Sequence, residues 1–322
     1  MIDRTRTLGS LAALFVLLAL GPVLASAQSA PATPKPMTSQ DAAKEFTTFR
    51  DYWYRGLAEL NRYELEQSRY GEMHKGEAVL IFVTEDFLRD KQIKFEFGDK
   101  SNAVNILKLN AQRRFYTGVY PYTIMTSVFT PTNGEPTQKV TSSSQEWCGM
   151  TYVQLNRNEK GYQGLSHSYF QAEADERFQL DGSLLEDEVW TRLRQDPMSL
   201  PTGDLNIVPA MRFLRLMHKP TKAYAANASW QAAKSPATAA PVKSYRISYP
   251  ALGRTLSIVV EENFPFRIVE FTETQTPLFG RDGKAPRPMT TRAVLTRSIL
   301  LDYWSKNRVS DAPYRDLLGI EH

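Results

Sequence analysis

Histidine and serine are the side chains of this sequence that come closest to a catalytic arrangement. The chain contains four histidines, and His167 lies between Ser166 and Ser168, shortly before an acidic stretch at 173–176. Histidine beside serine and a carboxylate is the grouping that activates a hydroxyl nucleophile in hydrolases. The strained G-x-S-x-G turn is missing, because Gly164 to Ser168 lacks the closing glycine. We predict that His167 is an ordinary strand residue and that no residue is catalytic; an extracytoplasmic hydrolase that uses His167 is the alternative.

The sequence indicates no site for a metal or a cofactor. No two histidines stand four residues apart, and the chain has neither a phosphate-binding glycine loop nor a calcium-binding loop. Cys148 is the only cysteine, so the chain can form no internal disulfide and no multi-cysteine zinc site. We predict that Cys148 is a small buried apolar residue, and we expect no metal and no cofactor.

Aromatic side chains are candidates for binding rather than for catalysis. They are dense between residues 53 and 170. If a β-sheet curls into an incomplete barrel, such residues line an apolar groove on its concave face. We predict that five of them bind an apolar ligand: Phe82, Tyr122, Trp147, Tyr169 and Phe170. Packing in an ordinary core is the alternative for each.

The elements that must position these residues are predominantly strands. Alternating or short apolar runs predict strands joined by turns along most of the chain. These strands are predicted at 60–70, 77–87, 105–109, 119–129, 138–143, 145–155, 161–170, 205–208, 211–218, 245–249, 255–261 and 267–274. Asn133-Gly134 predicts a hairpin turn, and residues 291–304 fit either a last strand or a short helix.

Besides the open alternative at 291–304, helices are predicted in two places. An apolar stripe at helical spacing predicts a helix between Gln40 and Gly56, and a second stripe predicts a helix at 184–194 with Ser183 as its N-cap. The Ala-, Ser- and Pro-rich stretch 224–241 predicts a loop. Because regular helical crossovers do not separate the strands, we predict a mainly β fold: a large, curved, half-barrel-like antiparallel sheet with a few helices. The helix at 184–194 is a candidate lid over the concave face.

The start of the sequence has the features of a secretory signal peptide. Arg4 and Arg6 precede an apolar core at Leu11 to Leu20, and Ala25-Ser26-Ala27 is a small-x-small cleavage site. Gln28 occupies the position at which a lipoprotein needs cysteine. We therefore expect an exported protein without a lipid anchor.

The domain organisation follows from that cleavage site. We predict a signal peptide at 1–27, a flexible leader at 28–40 and a single β-rich domain at 41–322. No later apolar run is long enough for a transmembrane segment, so we expect none after cleavage. The formal net charge of +4 is too small to indicate nucleic acid as a partner. The expected location is the periplasm, with release from the cell as the alternative.

Several short motifs carry a resemblance to a known family. They are Tyr52-Trp53-Tyr54-Arg55-Gly56, Tyr70-Gly71-Glu72, Phe82-Val83-Thr84-Glu85-Asp86-Phe87, Gly118-Val119-Tyr120-Pro121-Tyr122, Gln145-Glu146-Trp147-Cys148-Gly149, Ser166-His167-Ser168-Tyr169-Phe170, Leu200-Pro201-Thr202-Gly203, His218-Lys219-Pro220 and Tyr303-Trp304-Ser305-Lys306-Asn307. With them, residues 50–307 resemble an uncharacterised family of exported bacterial proteins that often carry the name "septum formation inhibitor Maf". That name implies a nucleotide pyrophosphatase, a further alternative function. The Ser-Pro-Arg-Arg-type motif of those pyrophosphatases is absent from this sequence.

A second resemblance concerns architecture alone. The segments 254–261 and 267–273, joined through Asn263-Phe264-Pro265, are similar to hairpins of the periplasmic lipoprotein carriers. In those half-barrels a curved sheet wraps a cavity for acyl chains, which implies a lipid-like ligand here. We therefore predict a cell-envelope protein that binds an apolar or lipid-like ligand, or an envelope partner, in a curved β-sheet. A binding protein is favoured over an enzyme.

Overall fold

The computed structural model describes residues 36–278, 280 and 282–320. The predicted signal peptide 1–27 and most of the predicted leader 28–40 lie outside the described residues, as does His322. The described residues form one compact unit. No helix in this described part combines the length and the apolarity that a membrane span requires.

Strands dominate the described chain. They are β1 Met37–Thr38, β2 Ala58–Arg69, β3 Glu72–Leu88, β4 Ile93–Lys94, β5 Ala103–Thr117, β6 Tyr120–Pro131, β7 Lys139–Glu146, β8 Gly149–Asn158, β9 Gly161–Ser168, β10 Glu176–Leu180, β11 Leu184–Leu185, β12 Gly203–Val208, β13 Tyr224–Ala232, β14 Val242–Tyr249, β15 Arg254–Glu261, β16 Ile268–Gln275 and β17 Met289–Leu301. The helices are α1 Ser39–Glu45, α2 Phe49–Trp53, α3 Glu186–Gln195, α4 Met211–Leu216 and α5 Tyr314–Leu318. Single 3-10 turns lie at Pro197–Ser199, Pro250–Leu252, Tyr303–Ser305 and Val309–Asp311.

All these strands belong to one sheet, so the predicted fold class is confirmed. Strand pairing runs in the order β10-β9-β8-β7-β6-β5-β3-β2-β17-β16-β15-β14-β13-β12-β11, with β1 added to β17 and β4 added to β3. Every pair is antiparallel except β11 with β12. The fold is mainly β, and its one sheet is large, curved and not closed. Its two end strands, β10 and β11, are consecutive in the chain.

Helix α3 lies inside the curve of the sheet. Thr191 bonds the hydroxyl of Thr130 in β6 at 2.7 Å, and Arg194 pairs with Glu59 of β2 at 2.8 Å. The Trp190 ring packs edge-on against β16, with a centroid distance of 5.1 Å. The predicted candidate lid is therefore a buried central helix that fills the middle of the concave face.

The start of α3 differs from the sequence prediction. Ser183 is not the N-cap, because Leu184–Leu185 first pairs with β12 as strand β11 and the helix begins at Glu186. The side chain of Glu188 instead accepts a hydrogen bond from the backbone N–H of Leu185 at 3.3 Å. Acidic residues in the first turn complement the positive end of the helix dipole.

Three further predictions about elements are wrong. Met211–Leu216 is helix α4 and not part of a strand at 211–218, because its apolar positions also fit a helical repeat. The predicted loop 224–241 contains strand β13 at 224–232, which pairs with both β12 and β14. The predicted single strand 145–155 is interrupted by a turn at Trp147-Cys148 between β7 and β8. For residues 291–304 a last strand and a short helix were both open, and the structure has strand β17 at Met289–Leu301.

Candidate functional site: a polar cleft beside helix α4

A cleft of about 360 Å³ lies between the inner face of β7–β9 and helix α4. Hydroxyl side chains form one wall: Ser142, Ser144, Thr151 and Ser166. Apolar side chains line the cleft as well: Ile124, Val153, Phe178 and Leu214. Two carboxylates, Glu173 and Glu176, also belong to the lining. Helix α4 and the residues after it contribute Arg212, Arg215, His218 and Lys219. The cleft is therefore amphipathic, and its cations come from one short segment of the chain.

Arg215 is a cation of this lining that is mostly buried. Its guanidinium lies 3.2 Å from Glu173 Oε1 and 4.4 Å from the ring centroid of Phe170. His218 Nδ1 contacts the same carboxylate oxygen, and its ring packs edge-on against Phe170. Burial lowers the pKa of Arg215 from its ordinary value, although nearby Glu173 opposes that change. The Nε of Arg215 is buried and hydrogen-bonds to none of the described residues.

Three tyrosines and an arginine form a polar cluster next to the cleft. The hydroxyls of Tyr70 and Tyr122 are 2.6 Å apart, and Tyr120 donates to Tyr70 at 3.2 Å. Arg69 donates to the hydroxyl of Tyr122 at 3.2 Å and to the carbonyl of Leu216 in α4 at 2.9 Å. The cluster is thus attached to the same helix that supplies Arg215.

The backbone at Tyr70, a member of this cluster, is strained. Tyr70 has φ +54° and Gly71 has φ +78°, so both residues of the β2–β3 turn are in the left-handed region. Asn or Gly is preferred at the first of these positions, and a bulky aromatic there is unfavourable. Burial opposes ionisation of the phenol, yet hydrogen bonds from Tyr120 and Tyr122 outweigh that effect and lower the pKa of Tyr70 below its ordinary value.

Beneath the cleft lies a buried group of charges around Glu273. Arg113, Arg212 and Arg254 approach its carboxylate at 2.6, 2.7 and 3.4 Å. These three cations overcome the effect of burial and hold the pKa of Glu273 far below its usual range. Asp187 nearby accepts a hydrogen bond from the N–H of Met211 at 2.9 Å. Burial raises the pKa of Asp187 to about 7.

The structure places the five predicted ligand-binding residues in different surroundings. Tyr122 is buried in the tyrosine cluster, and Phe170 lies against Arg215 and His218. Trp147 and Tyr169 are exposed at the same end of the sheet. Phe82 lies apart from the other four: it is fully buried in the core, 4.9 Å from the Arg194 guanidinium.

The two residues singled out for reactivity lie outside the cleft. His167 pairs across strands with Tyr152, on the face of β9 opposite to that of Ser166, and its Nδ1 is 3.1 Å from Asp175 Oδ1. It is a strand residue, as predicted. Cys148 is exposed in the β7–β8 turn, so the prediction that it is buried is wrong. Within residues 36–320 as described, no group of histidines, cysteines and carboxylates could hold a metal ion.

The residues that line the cleft from α4 and from the segment after it were not among the predicted site residues. Arg212, Arg215 and Lys219 are separated by three and four positions, the spacing that places side chains on one face of a helix. That spacing could have identified them if 211–218 had been assigned as a helix. Arg69 and Glu173 carry no comparable signal, because only the folded sheet brings them to α4.

Comparisons with protein-family models, with curated proteins and with solved structures give no match to this chain. The two resemblances described above therefore stay predictions, and the residues of the cleft are the basis on which a function can be argued.

Proposed function

We propose that this protein is an exported envelope protein that binds an amphipathic, lipid-like ligand in the cleft beside α4. An anionic head group is held at Arg215, and the apolar part lies along Val153, Phe178 and Leu214. The observation that carries this proposal is the guanidinium of Arg215, which lines an amphipathic cleft and has one buried N–H that bonds to no residue in the described part of the chain. The predicted signal peptide places the binding event outside the cytoplasm.

The donor capacity of Arg215 supports an anionic group rather than a neutral one. A guanidinium has five N–H donors, and Glu173 engages only one terminal nitrogen here. A carboxylate or phosphate accepts two parallel hydrogen bonds from arginine, which are stronger than bonds between neutral groups. The hydroxyls of Ser142, Ser144 and Ser166 offer further donors along the same cleft.

The filled centre of the sheet limits the size of the ligand. Helix α3 occupies the concave face, so an acyl chain has to lie in the side cleft of about 360 Å³. This supports a single short chain with a compact head group. It does not support a cavity for several chains under an open half-barrel.

Calorimetric titration with a matched pair of probes tests this function. Decanoate and decanol have the same chain length, and only decanoate carries a negative charge. We expect the protein to bind decanoate more tightly, and we expect Arg215→Gln to weaken decanoate binding at least about tenfold, since a charged hydrogen bond contributes about 1.5–3 kcal/mol. Binding of decanol should change little.

Arg177→Gln is the matched control. Arg177 is exposed on β10 and alternates with Glu176 and Phe178, which line the cleft. Equal binding of decanoate by the Arg215→Gln variant and the natural protein would contradict the proposal. An equal loss of decanoate binding in Arg215→Gln and in Arg177→Gln would contradict the proposal as well. Native mass spectrometry of the protein purified after export then identifies any ligand that it retains.

A further inference from the structure

Large apolar side chains are exposed on neighbouring turns at one end of the sheet. They are Tyr116, Val119, Trp147, Met150 and Tyr169, and each is between 58% and 76% exposed. We call these five residues the apolar rim. Tyr116 and Val119 belong to the β5–β6 hairpin, Trp147 and Met150 to the β7–β8 hairpin, and Tyr169 follows β9. Exposed apolar residues grouped in this way mark an interaction surface more often than singly scattered ones do.

Contacts between the turns make the rim continuous. The ring of Trp147 lies 6.3 Å from that of Tyr120, which links the β7–β8 turn to the β5–β6 turn. Tyr169 packs on the backbone of Gly149 so closely that a Cβ at Gly149 would lie 2.7 Å from Tyr169 Cγ. Tyr169 in turn packs against Phe170, whose ring lies under Arg215. The rim therefore leads directly to the cleft.

The distribution of charges around the apolar rim indicates what kind of partner the rim binds. The segments 115–123, 147–156 and 168–172 contain no Asp, Glu, Lys or Arg. Glu146 closes the β7–β8 turn, and its carboxylate accepts a hydrogen bond from the N–H of Cys148 at 2.6 Å. Apart from Glu146, moving these tips into an apolar or interfacial medium desolvates no formal charge of their own. Two cations lie behind the rim: Arg114 precedes Tyr116 in β5, 3.8 Å from Glu77 and with its side chain 53% exposed, and Lys219 lines the cleft.

We propose that the apolar rim docks on the surface of a lipid bilayer, with Trp147 and Tyr169 at the level of the head groups. Trp and Tyr are the residues that prefer this interfacial region, because each combines an apolar ring with a polar group. Basic residues behind them match the negative potential of anionic lipids. Docking places the cleft at the membrane surface; that last step rests on the function proposed above, whereas docking itself does not.

Vesicle flotation tests the docking. Large vesicles of phosphatidylcholine, and of phosphatidylcholine with phosphatidylglycerol, are mixed with the protein and recovered by density. We expect the natural protein to float with the vesicles, more strongly when phosphatidylglycerol is present. The triple variant Trp147→Ser, Met150→Ser, Tyr169→Ser should lower the bound fraction at least tenfold. Because these side chains are more than half exposed, the variant should stay folded, with a melting temperature only slightly below that of the natural protein.

Phe97→Ser is the control, since Phe97 is 86% exposed and lies in the connection from β4 to β5, away from the rim turns. It should leave flotation unchanged. Bromine-labelled lipids should also quench the fluorescence of Trp147, measured as the difference from a Trp147→Phe variant. Docking is overturned if the natural protein does not float, if the triple variant floats equally well, or if the triple substitution dissociates a dimer instead.

The same variants separate this proposal from the proposed function. Arg215→Gln should float like the natural protein, and the triple variant should bind decanoate in solution like the natural protein. If decanoate binding fails and flotation succeeds, the rim is a docking surface of a protein with another function.

Discussion

At the scale of single residues, Asp187 is the titratable group whose surroundings most affect stability near neutral pH. Burial raises its pKa to about 7 from an ordinary value of 3.8, so the folded protein holds a proton on Asp187 between these values that the unfolded chain does not. The folded state is therefore favoured at low pH, and this contribution is lost as the pH rises from about 4 to about 7.

The substitution Asp187→Asn removes this titration while it keeps an oxygen that accepts from the N–H of Met211. We expect the variant to be more stable than the natural protein above pH 7, by at most about 4 kcal/mol, and to lose this advantage near pH 4. Urea unfolding at both pH values measures the difference.

The control for this comparison is Asp90→Asn, because Asp90 is exposed. It should change stability by less than about 0.5 kcal/mol at either pH. An Asp187→Asn variant that is equally destabilised at both pH values would show that the carboxylate is ionised and needed in the folded state.

Residue types alone could suggest only part of the candidate site. Tyr122 and Phe170 were predicted from aromatic density and do lie beside the cleft, next to Arg69 and Arg215 respectively. The two arginines were not predicted as site residues, because a cation near an apolar run is normally an exposed residue on a polar face. Phe82 was predicted from the same aromatic density as Tyr122 and Phe170, yet it is fully buried in the core.

At the scale of elements, helix α3 is held in place by ion pairs in which both partners are buried. Arg194 and Glu59 are each 0% exposed, and Arg194 also donates to the carbonyl of Pro265 at 3.0 Å. Burial opposes ionisation of Glu59, but the charge of Arg194 keeps its pKa below the ordinary value. Removing one partner of such a pair leaves a buried charge without compensation.

We expect Arg194→Met to lower the free energy of unfolding by about 3–5 kcal/mol for this reason. The double variant Glu59→Gln, Arg194→Met should recover a large part of the loss, because it leaves no buried charge. Equilibrium unfolding in urea measures both changes. Failure of the second substitution to recover stability would mean that packing of Arg194 against Trp53, and not its charge, holds the helix.

An exposed ion pair supplies the control for Arg194. Lys44 and Asp41 of α1 are 3.2 Å apart, but their side chains are 78% and 58% exposed. Water screens such a pair, so Lys44→Met should cost less than about 1 kcal/mol.

Most elements could be predicted from alternation, and the failures have physical causes. The Ala-rich sequence of β13 has only two bulky residues, Tyr224 and Trp230, yet its backbone bonds to β12 and β14 on both sides. Helix α4 was missed because the five apolar residues of 211–218 fit a period of two as well as 3.6. Trp147-Cys148 forms a turn because β7 and β8 pair with each other, which is a property of two segments and not of one.

At the scale of the whole molecule, two strands that are consecutive in the chain, β10 and β11, lie at the two opposite ends of the order of strands in the sheet. Residues 181–183 connect β10 to β11 and can span at most about 14 Å when fully extended. The sheet therefore has to curl until its end strands approach each other, and α3 follows β11 directly into the space enclosed by the curl. Neither half of the sheet can bury its concave face without this helix.

This arrangement predicts that both halves of the sheet unfold together. Helix α3 bonds to Glu59 of β2, to Thr130 of β6 and, through Glu186, to Arg254 of β15. Loss of α3 exposes the core of both halves, so we expect a single transition in urea, with the same midpoint by far-ultraviolet circular dichroism and by tryptophan fluorescence. Arg194→Met should move both midpoints by the same amount. Separate midpoints, with the half from β2 to β10 unfolding apart from the half from β11 to β17, would show that α3 belongs to one half only.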